Sequence, residues 1–329
     1  MMKLVNIVLA TYKPNLVYFE KLLCSLNNQS YPNIDIIIRD DSDDDATFTE
    51  ISELVKKIIT NFNYTLLRND RNVGSNKTFE MLTKDAKGDF IAYCDQDDIW
   101  EKGKISKLVK CIEKENSILC YSDLSIIDKN DILLAKSFRD INIRLKHMYG
   151  DGLFGYFLRR NSVTGCTMLI NSKIAKEAIP FCHEYYVHDH WLALYASMKG
   201  KISYVEEPLV RYRIHDNNQI GASMLKGINN KKDYLNKKLF REREKYEYLL
   251  NNYGFNAAQK KLILEMYEWT QQRIDFFQNK SFIDTINMMK GIKRDWQLIA
   301  LEIIINFAPE RAVNKLFKII KKRQEDYMW

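Results

Sequence analysis

Short apolar runs that alternate with amphipathic stretches restrict the fold of this sequence more than any other feature. Apolar runs at residues 4–10, 34–39, 64–67 and 90–94 have the length and composition of buried strands. The segments between them carry apolar residues at helical spacing. Repeated strand–helix–strand units place their strands in parallel, because each helix returns the chain across the sheet. We therefore predict an α/β fold with a doubly wound, mainly parallel sheet and helices on both faces.

The middle of the sequence is less regular. We predict a strand at residues 163–170, a helix that begins near Asp189, and two short strands at residues 202–205 and 209–214.

Net charge is distributed unevenly along the chain. Residues 226–329 contain 21 Lys and Arg against 13 Asp and Glu, a net charge of +8, whereas the preceding residues sum to −1. After residue 224, the apolar residues recur only at helical spacing. We therefore predict an α/β domain at residues 1–224 and a basic helical region at residues 225–329, whose surface would suit an anionic partner.

The apolar segments are too short to cross a membrane, since a spanning helix needs about 20 consecutive apolar residues. The N-terminal apolar run has no small-residue cleavage site, so we interpret it as a strand and not as a signal peptide. The six cysteines form no CxxC pair. These features predict a cytoplasmic protein with reduced thiols, and the basic region would allow contact with the inner face of the membrane.

Polar clusters follow three of the predicted strands. They are Thr11-Tyr12-Lys13, Asp40-Asp41-Ser42 and Asp95-Gln96-Asp97-Asp98. In open parallel sheets, ligands bind at the carboxyl ends of the strands. We expect these clusters to lie at one edge of the sheet and to form a binding site.

The cluster that follows residues 90–94 has the chemistry of a metal site. Asp95 and Asp97 would repel each other unless a cation neutralised them. Mg²⁺ or Mn²⁺ prefers such oxygen ligands and bridges them to a diphosphate. The alternative is a solvated acidic turn, and the buried strand before it and Trp100 after it favour the metal site.

Asp40 and Asp41 have two interpretations that the residues alone leave open. A carboxylate at this strand end would accept hydrogen bonds from a nucleobase or a ribose hydroxyl. An Asx turn that caps the following helix would use the same residues without any ligand.

Two later segments carry further polar groups. Asp189, between His188 and His190 and before Trp191, would act as a general base beside an aromatic floor, or simply as a helix N-cap. Arg213 and His215 would hold a pyrophosphate or complete a metal shell, or would lie on a solvated strand and loop. No glycine-rich phosphate loop or serine nucleophile motif occurs, which disfavours kinases, dehydrogenases and hydrolases.

Taken together, these segments resemble the family 2 inverting glycosyltransferases, which have the GT-A fold. Seven motifs occur in the order of the family, at residues 8–12, 38–42, 71–74, 93–100, 164–168, 188–191 and 212–218. The combination of Cys-Asp-Gln-Asp-Asp-Ile-Trp with His-Asp-His-Trp is most similar to bacterial rhamnosyltransferases of cell-surface polysaccharide synthesis.

The resemblance implies roles for individual residues. Donor-nucleotide contacts would come from Ala10, Thr11, Tyr12, Asp40, Asp41, Asn72, Gly74, Lys77, Asp95, Gln96 and Arg213. A Mn²⁺ or Mg²⁺ ion would be held by Asp95, Asp97 and His215. Asp189 would deprotonate the acceptor hydroxyl, and acceptor contacts would come from Trp100, His188, His190 and Trp191. The sequence departs from the family where His188 replaces a common Glu, and where Lys77 replaces an Arg after Gly74.

The resemblance also implies the partners. The donor would be a nucleotide sugar, with dTDP-rhamnose expected before UDP-sugars, and the acceptor a glycan or a lipid-linked intermediate. Residues 225–329 would pack on the catalytic domain, form a homo-oligomer, or contact anionic lipids; no nucleic-acid-binding motif occurs. Two rival functions are a nucleotidyltransferase, which would show a glycine-rich basic loop after the first strand, and a catalytically degenerate scaffold, which would lack Asp95, Asp97 or Asp189.

Overall fold

The computed structural model describes residues 2–141, 145–215 and 227–326, and side chains as far as residue 321. The chain divides into two compact units, of which the first ends at His215 and the second begins at Asp216. The boundary predicted between residues 224 and 225 falls in a segment outside the described residues.

One nine-stranded sheet forms the centre of the described part of the first unit. Its strands are β1 (Val5–Thr11), β2 (Ile34–Asp40), β3 (Asn63–Arg68), β4 (Phe90–Cys94), β5 (Ile99–Trp100), β6 (Leu119–Ile127), β7 (Leu133–Ala135), β8 (Met168–Asn171) and β9 (Ile202–Arg213). Their spatial order is β3–β2–β1–β4–β8–β6–β9–β5, and β7 pairs with β6.

Helices connect these strands. They are α1 (Leu16–Asn27), α2 (Asp45–Ile58), α3 (Ser75–Asp85), α4 (Lys104–Lys114), α5 (Phe138–Ile141), α6 (Phe154–Phe157), α7 (Ser172–Glu177) and α8 (His188–Lys199). The inward face of α1 is apolar and consists of Phe19, Leu22, Leu23 and Leu26. This burial against the sheet is what stabilises helices of such length.

The first four strands are parallel, as predicted. β1 pairs with β2 and β4, and β2 also pairs with β3. In this register Thr11 lies opposite Asp40, and Leu9 lies opposite Cys94. The carboxyl ends of β1, β2 and β4 therefore meet at one edge, which brings the three polar clusters together.

An antiparallel strand interrupts the parallel order. β8 lies between β4 and β6 and runs antiparallel to both. The strand predicted at residues 163–170 is correct only at its end, because Gly165–Thr167 form a 3₁₀ turn. The N–H and the hydroxyl of Thr167 both donate to the carbonyl of Thr164, at 2.9 and 2.7 Å, and so hold this turn.

The two short strands predicted at residues 202–205 and 209–214 are one strand, β9. Its register against β6 shifts between Val205 and Pro208. Proline has no N–H to donate to the ladder, so the irregular sequence here marks a bulge and not a strand end.

The second unit is helical. Its elements are α9 (Lys231–Asp233), a π-helical segment (Tyr234–Phe240), α10 (Arg241–Asn252), α11 (Ala257–Asn279), α12 (Phe282–Met289), α13 (Ile292–Phe307) and α14 (Glu310–Asp326). α13 is kinked at Asp295, whose backbone is not helical. Within the described ranges, no helix has both the length and the apolar content to cross a bilayer.

A buried ionic cluster ties the helices of this unit together. The guanidinium of Arg273 is fully buried and donates to both carboxylate oxygens of Glu302, at 2.6 to 3.1 Å. It also donates to Glu242 at 3.1 Å, and the hydroxyl of Tyr234 donates to Glu302 at 2.8 Å. Each charge thus has a partner, as a buried charge requires.

Glu302→Ala should lower the free energy of unfolding by about 3–5 kcal/mol, because it leaves part of the charge of Arg273 buried without a partner. Glu265→Ala is the matched control, since Glu265 forms a more exposed pair with Arg294 in the same unit and should cost less than about 1 kcal/mol. Urea denaturation followed by circular dichroism measures both. Equal losses for the two variants would contradict this account of the core.

Candidate active site

Three carboxylates follow β4 directly, and their burial is unequal. Asp95 and Asp97 are half-buried, and Asp98 is fully buried. Burial, with repulsion from Asp97 and Asp189, raises the pKa of Asp95 to about 7. Burial also raises the pKa of Asp98 well above its usual range, and its two acidic neighbours add to that shift. Such crowding favours the binding of a cation.

A buried lysine adjoins this acidic loop. The ammonium of Lys104 donates to the carbonyl of Cys166 at 2.5 Å and lies over the ring of Trp100. Burial lowers the pKa of Lys104 to about 7, although the charges of Asp98 and Asp95 oppose the decrease. Lysine is seldom fully buried without such partners. When protonated, Lys104 therefore places positive charge beside the acidic loop from inside the protein.

Arg213 supplies a second positive charge from the inside. Its backbone N–H donates to Asp98 Oδ1 at 3.1 Å, and its Nε donates to the carbonyl of Asp97 at 2.9 Å. The guanidinium also pairs with Asp131 and lies 4.3 Å from the ring centre of Tyr18. Arg213 is fully buried, so the direct donor contact predicted for it is not supported. It holds the acidic loop in place.

The structure brings together two of the three predicted metal ligands. Nε2 of His215 lies 2.7 Å from Oδ2 of Asp97, and both side chains keep a small exposed fraction, 19% and 16%. Asp95, the third, stands two residues before Asp97 on the same loop.

A second group of potential ligands lies deeper. Ligand atoms of Asp95, Asp98 and Cys166 lie within 4.8 Å of one another. The thiol of Cys166 is fully buried, and burial raises its pKa well above the usual range, with the charge of Asp98 contributing. A protonated thiol that donates to a carboxylate explains this group without an ion.

Asp189 faces this loop from the first turn of α8. Its Oδ1 accepts from Asn161 Nδ2 at 3.1 Å and from the N–H of His190 at 2.5 Å. Its Oδ2 accepts from the N–H of Gly165 at 3.1 Å. Burial raises the pKa of Asp189 to about 6, and the two backbone N–H groups oppose the increase. The helix begins one residue earlier, and its cap has no side-chain hydrogen bond, so Asp189 is not an N-cap.

His188 is packed against aromatic rings. It stacks on Phe79 with ring centres 4.1 Å apart and lies 5.6 Å from the ring of Tyr93. Burial lowers the pKa of His188 to about 3, so the imidazole is neutral. A Cβ on Gly165 would lie 2.7 Å from His188 Nε2. The imidazole fits at this position because Gly165 has no side chain.

The other predicted acceptor residues point away from an open site. Trp100 and Trp191 are buried, and the indole N–H of Trp191 donates to the carbonyl of Ala178 at 2.8 Å. Nε2 of His190 lies 2.6 Å from the carbonyl of Phe157. The acceptor contacts predicted for the two tryptophans are therefore not supported, since both rings pack in the core.

On the side of β1 and β2, Asp40 is turned inward. Its Oδ1 accepts from the hydroxyls of Thr11 and Ser42, at 2.9 and 2.6 Å, and the carboxylate is fully buried. Thr11 is buried as well, and Ala10 is half-buried. Asp40 therefore joins the ends of the two strands.

Asp41 organises the loop at residues 69–74. Its carboxylate accepts from Asn69 Nδ2 at 2.8 Å and from the N–H groups of Val73 and Gly74, at 2.9 and 2.8 Å. Gly74 has φ +83°, which favours glycine, and Asn72 Oδ1 accepts from the same N–H at 3.1 Å. Gly74 also precedes α3 as its cap residue.

Gln96 links two loops of the site. Its side-chain amide accepts from the N–H of Tyr12 at 2.7 Å and donates to the carbonyl of Tyr12 at 3.1 Å. The ring of Tyr12 is 48% exposed. Gln96 thus fixes the backbone that presents this ring, and its own amide is already engaged.

Two further residues of α3 complete the geometry. Lys77, predicted to contact the donor, forms an ion pair with Glu80 instead. Asn76, which the sequence analysis missed, donates to the carbonyl of Tyr186 at 3.0 Å and accepts from the N–H of His188 at 2.8 Å. An asparagine in the first turn of a helix is common, and only the tertiary structure shows that it positions the start of α8.

The acidic loop fits a divalent cation. Two half-buried carboxylates and an imidazole form a donor set suited to Mn²⁺ or Mg²⁺, and an ion would offset the burial and the repulsion that together raise the pKa of Asp95.

Gly165→Ala should lower the free energy of unfolding by about 1–3 kcal/mol, because the new methyl group would overlap the stacked ring of His188. Adding His188→Ala removes the overlap, so the double variant should lose less than the sum of the single losses. Gly155→Ala is the control, since nothing lies within 4 Å of its Cβ position. Strictly additive losses would show that the contact is not tight.

Comparison with known proteins identifies the family of these motifs. The family model described as glycosyl transferase family 2 matches residues 7–177. The chain is 30% identical over 227 residues to the dTDP-rhamnosyl transferase RfbG of Shigella flexneri, covering 66% of this chain and 74% of the relative.

Solved structures agree on the fold. TarS 1–349 of S. aureus, in complex with UDP-GlcNAc, has a TM-score of 0.56 at 15% identity and is matched over 99% of this chain and 89% of that chain. The chain spans 54% of the longer TarS chain. The mannosyltransferase PcManGT of Pyrobaculum calidifontis, in complex with GDP-Man and Mn²⁺, has a TM-score of 0.56 at 11% identity over 100% and 88% of the two chains. The predicted GT-A fold is therefore confirmed, and this chain belongs to glycosyl transferase family 2.

Proposed function

We propose that this protein transfers a sugar, with inversion at C1, from a nucleotide sugar to a hydroxyl group of a cell-surface glycan or a lipid-linked intermediate. The observation that carries the proposal is the position of the Asp189 carboxylate: it accepts from the N–H of Gly165, and the thiol of the next residue, Cys166, lies within 4.8 Å of a carboxylate oxygen of Asp95. An inverting transfer in one displacement requires a base for the acceptor hydroxyl and a group that stabilises the leaving diphosphate, and both would lie at this sheet edge.

The proposed reaction uses the residues of this edge. The acceptor hydroxyl attacks C1 of the sugar on the face opposite the nucleoside diphosphate, while Asp189 takes the hydroxyl proton. The bond from C1 to the diphosphate oxygen breaks as the new glycosidic bond forms, so the configuration inverts. Asp95, Asp97 and His215 would hold Mn²⁺ or Mg²⁺, which when bound neutralises charge on the diphosphate.

The donor would lie along the ends of β1 and β2. The exposed ring of Tyr12 offers a face for the nucleobase, with its backbone fixed by Gln96. Asp40 and Asp41 shape the pocket through the internal hydrogen bonds described above. The similarity to RfbG supports dTDP-rhamnose as the donor, with UDP-sugars as the alternative.

The proposed acceptor is supported by the positive charge of the second unit and by the name of a similar protein. One similar protein is a UDP-Glc:α-D-GlcNAc-diphosphoundecaprenol glucosyltransferase, whose name states a lipid-linked acceptor. A lipid-linked acceptor would place this protein at the inner face of the membrane, where its basic second unit would meet anionic lipids.

A donor panel tests the function. With Mn²⁺ present, one nucleotide sugar should release its nucleoside diphosphate, and EDTA should abolish the release. Asp97→Asn should lower the rate roughly 100-fold or more, since a catalytic metal contributes several kcal/mol. Glu115→Ala removes a partly exposed carboxylate that pairs with Lys201 just before the amino ends of β6 and β9, and it should leave the rate unchanged.

Calorimetry of nucleotide binding accompanies this assay, because hydrolysis without an acceptor is often slow. If no nucleotide binds in the presence of the metal, the proposal fails and a degenerate scaffold becomes the better explanation.

The pH dependence tests Asp189. A base must be ionised, and burial raises the pKa of Asp189 to about 6, so kcat/KM at saturating metal should fall about tenfold per pH unit well below pH 6. Asp189→Asn should lower kcat about 10²–10⁴-fold and remove this acidic limb, while donor binding measured by calorimetry stays similar. A variant that keeps both its rate and its pH profile would exclude Asp189 as the base.

A further inference from the structure

Exposed apolar side chains concentrate in one short part of the second unit. Eight of the twenty large apolar side chains that are exposed in the described ranges fall within residues 282–307. They are Phe282, Ile283, Ile286, Met289, Ile292, Trp296, Ile304 and Phe307. Single exposed apolar residues are ordinary, but a cluster of this size marks a surface that binds something.

The helix α12 presents its apolar residues outward. Phe282 is 79% exposed and Ile283 is 69% exposed, and Ile286 follows on the same side. The one fully buried residue of this helix is Met288, whose carbonyl accepts from the indole of Trp269 at 3.4 Å. A helix that packed only for stability would bury its apolar face, so the outward face of α12 has another use.

The helix α13 also carries exposed apolar residues. Trp296 is 65% exposed, and Ile304 and Phe307 lie two and three turns further along, 53% and 61% exposed. Its inward side carries Ile299 and Ile305, which are buried. Burial of the inward side therefore stabilises α13, and its exposed side can bind a partner.

Positive charges predominate around this surface. Between residues 280 and 321 the chain has eight Lys and Arg and four Asp and Glu. Two of the four acids, Asp295 and Glu302, are buried. Lys280, Lys290 and Lys293 are exposed beside the apolar residues. Apolar residues bordered by exposed cations suit an anionic lipid surface, where the rings enter the headgroup region and the cations contact phosphates.

We propose that the exposed sides of α12 and α13 form an in-plane binding surface for anionic bilayers. The surface would hold the enzyme beside a lipid-linked acceptor. The purpose of the surface therefore rests on the proposed function. Binding to the bilayer itself needs neither donor nor acceptor, so it can be measured separately.

Vesicle sedimentation with the full chain tests the surface. Phosphatidylcholine vesicles containing phosphatidylglycerol should bind the protein, and pure phosphatidylcholine should bind it at least about tenfold more weakly. Phe282→Ser combined with Ile283→Ser should weaken binding at least about tenfold. Lys290→Glu combined with Lys293→Glu should weaken it mainly at low salt. Leu264→Ser, at a 47% exposed position of α11, is the matched control and should bind like the wild type.

Trp296 serves as a local reporter. Trp100, Trp191 and Trp269 are buried, so in a Trp329→Phe background the fluorescence of Trp296 should shift to the blue with anionic vesicles and be quenched by brominated lipids. Trp296→Phe should remove the shift while sedimentation persists.

Two outcomes would overturn the proposal. One is a wild type that fails to bind anionic vesicles while circular dichroism shows it folded. The other is an oligomer that Phe282→Ser with Ile283→Ser converts to monomer without any change in vesicle binding, which would assign this surface to a second copy of the chain. Donor binding measured without vesicles is independent of both, so failure of this surface is distinguishable from failure of the proposed enzyme.

Discussion

The crowding of carboxylates at one sheet edge is the constraint on which the first unit depends. Asp95, Asp97, Asp98 and Asp189 converge there because β4 and α8 both deliver acids to the same edge. Two buried cations, Lys104 and Arg213, offset part of this charge from inside the protein. Burial, and after it repulsion from Asp97 and Asp189, raises the pKa of Asp95, and the charge of Lys104 only partly opposes this rise. The fold therefore keeps a site whose remaining negative charge a bound cation would neutralise.

The 3₁₀ turn at Gly165–Thr167 links this charge balance to the position of the base. The N–H of Gly165 donates to Asp189, and the carbonyl of the next residue, Cys166, accepts from Lys104. The turn leads directly into β8, which pairs with β4, the strand before the acidic loop. Base and acidic loop are thus held on one rigid support, and a rigid arrangement is what makes catalytic groups effective.

The sequence predicted these groups better than it predicted how each would be used. The strand patterns predicted a parallel sheet, and ligands bind at the carboxyl ends of the strands in such a sheet. The sequence therefore placed the acidic loop and the ends of β1 and β2 at one edge. Burial was harder to foresee: Trp100 lies in a two-residue strand that pairs with β9, about 110 residues away, and no local period reveals such a pairing. Arg213 and Lys104 were misjudged or missed because cations are usually exposed, and only the tertiary structure shows that their partners are the buried acids.

Both units bury charged side chains, and in each the burial changes what remains at the surface. In the first unit, buried Lys104 and Arg213 leave half-buried carboxylates at the sheet edge. In the second, Glu302 and Asp295 are buried together with one cation, Arg273, so the outward-facing charge is slightly more positive than composition alone suggests. A buried charge needs a partner of opposite charge. Each charged side chain that is buried also changes the net charge that remains at the surface. In the first unit the two buried cations only partly balance the acids at the sheet edge, where a cation and a diphosphate would bind, and in the second unit the buried acids leave exposed lysines where an anionic lipid surface would be met.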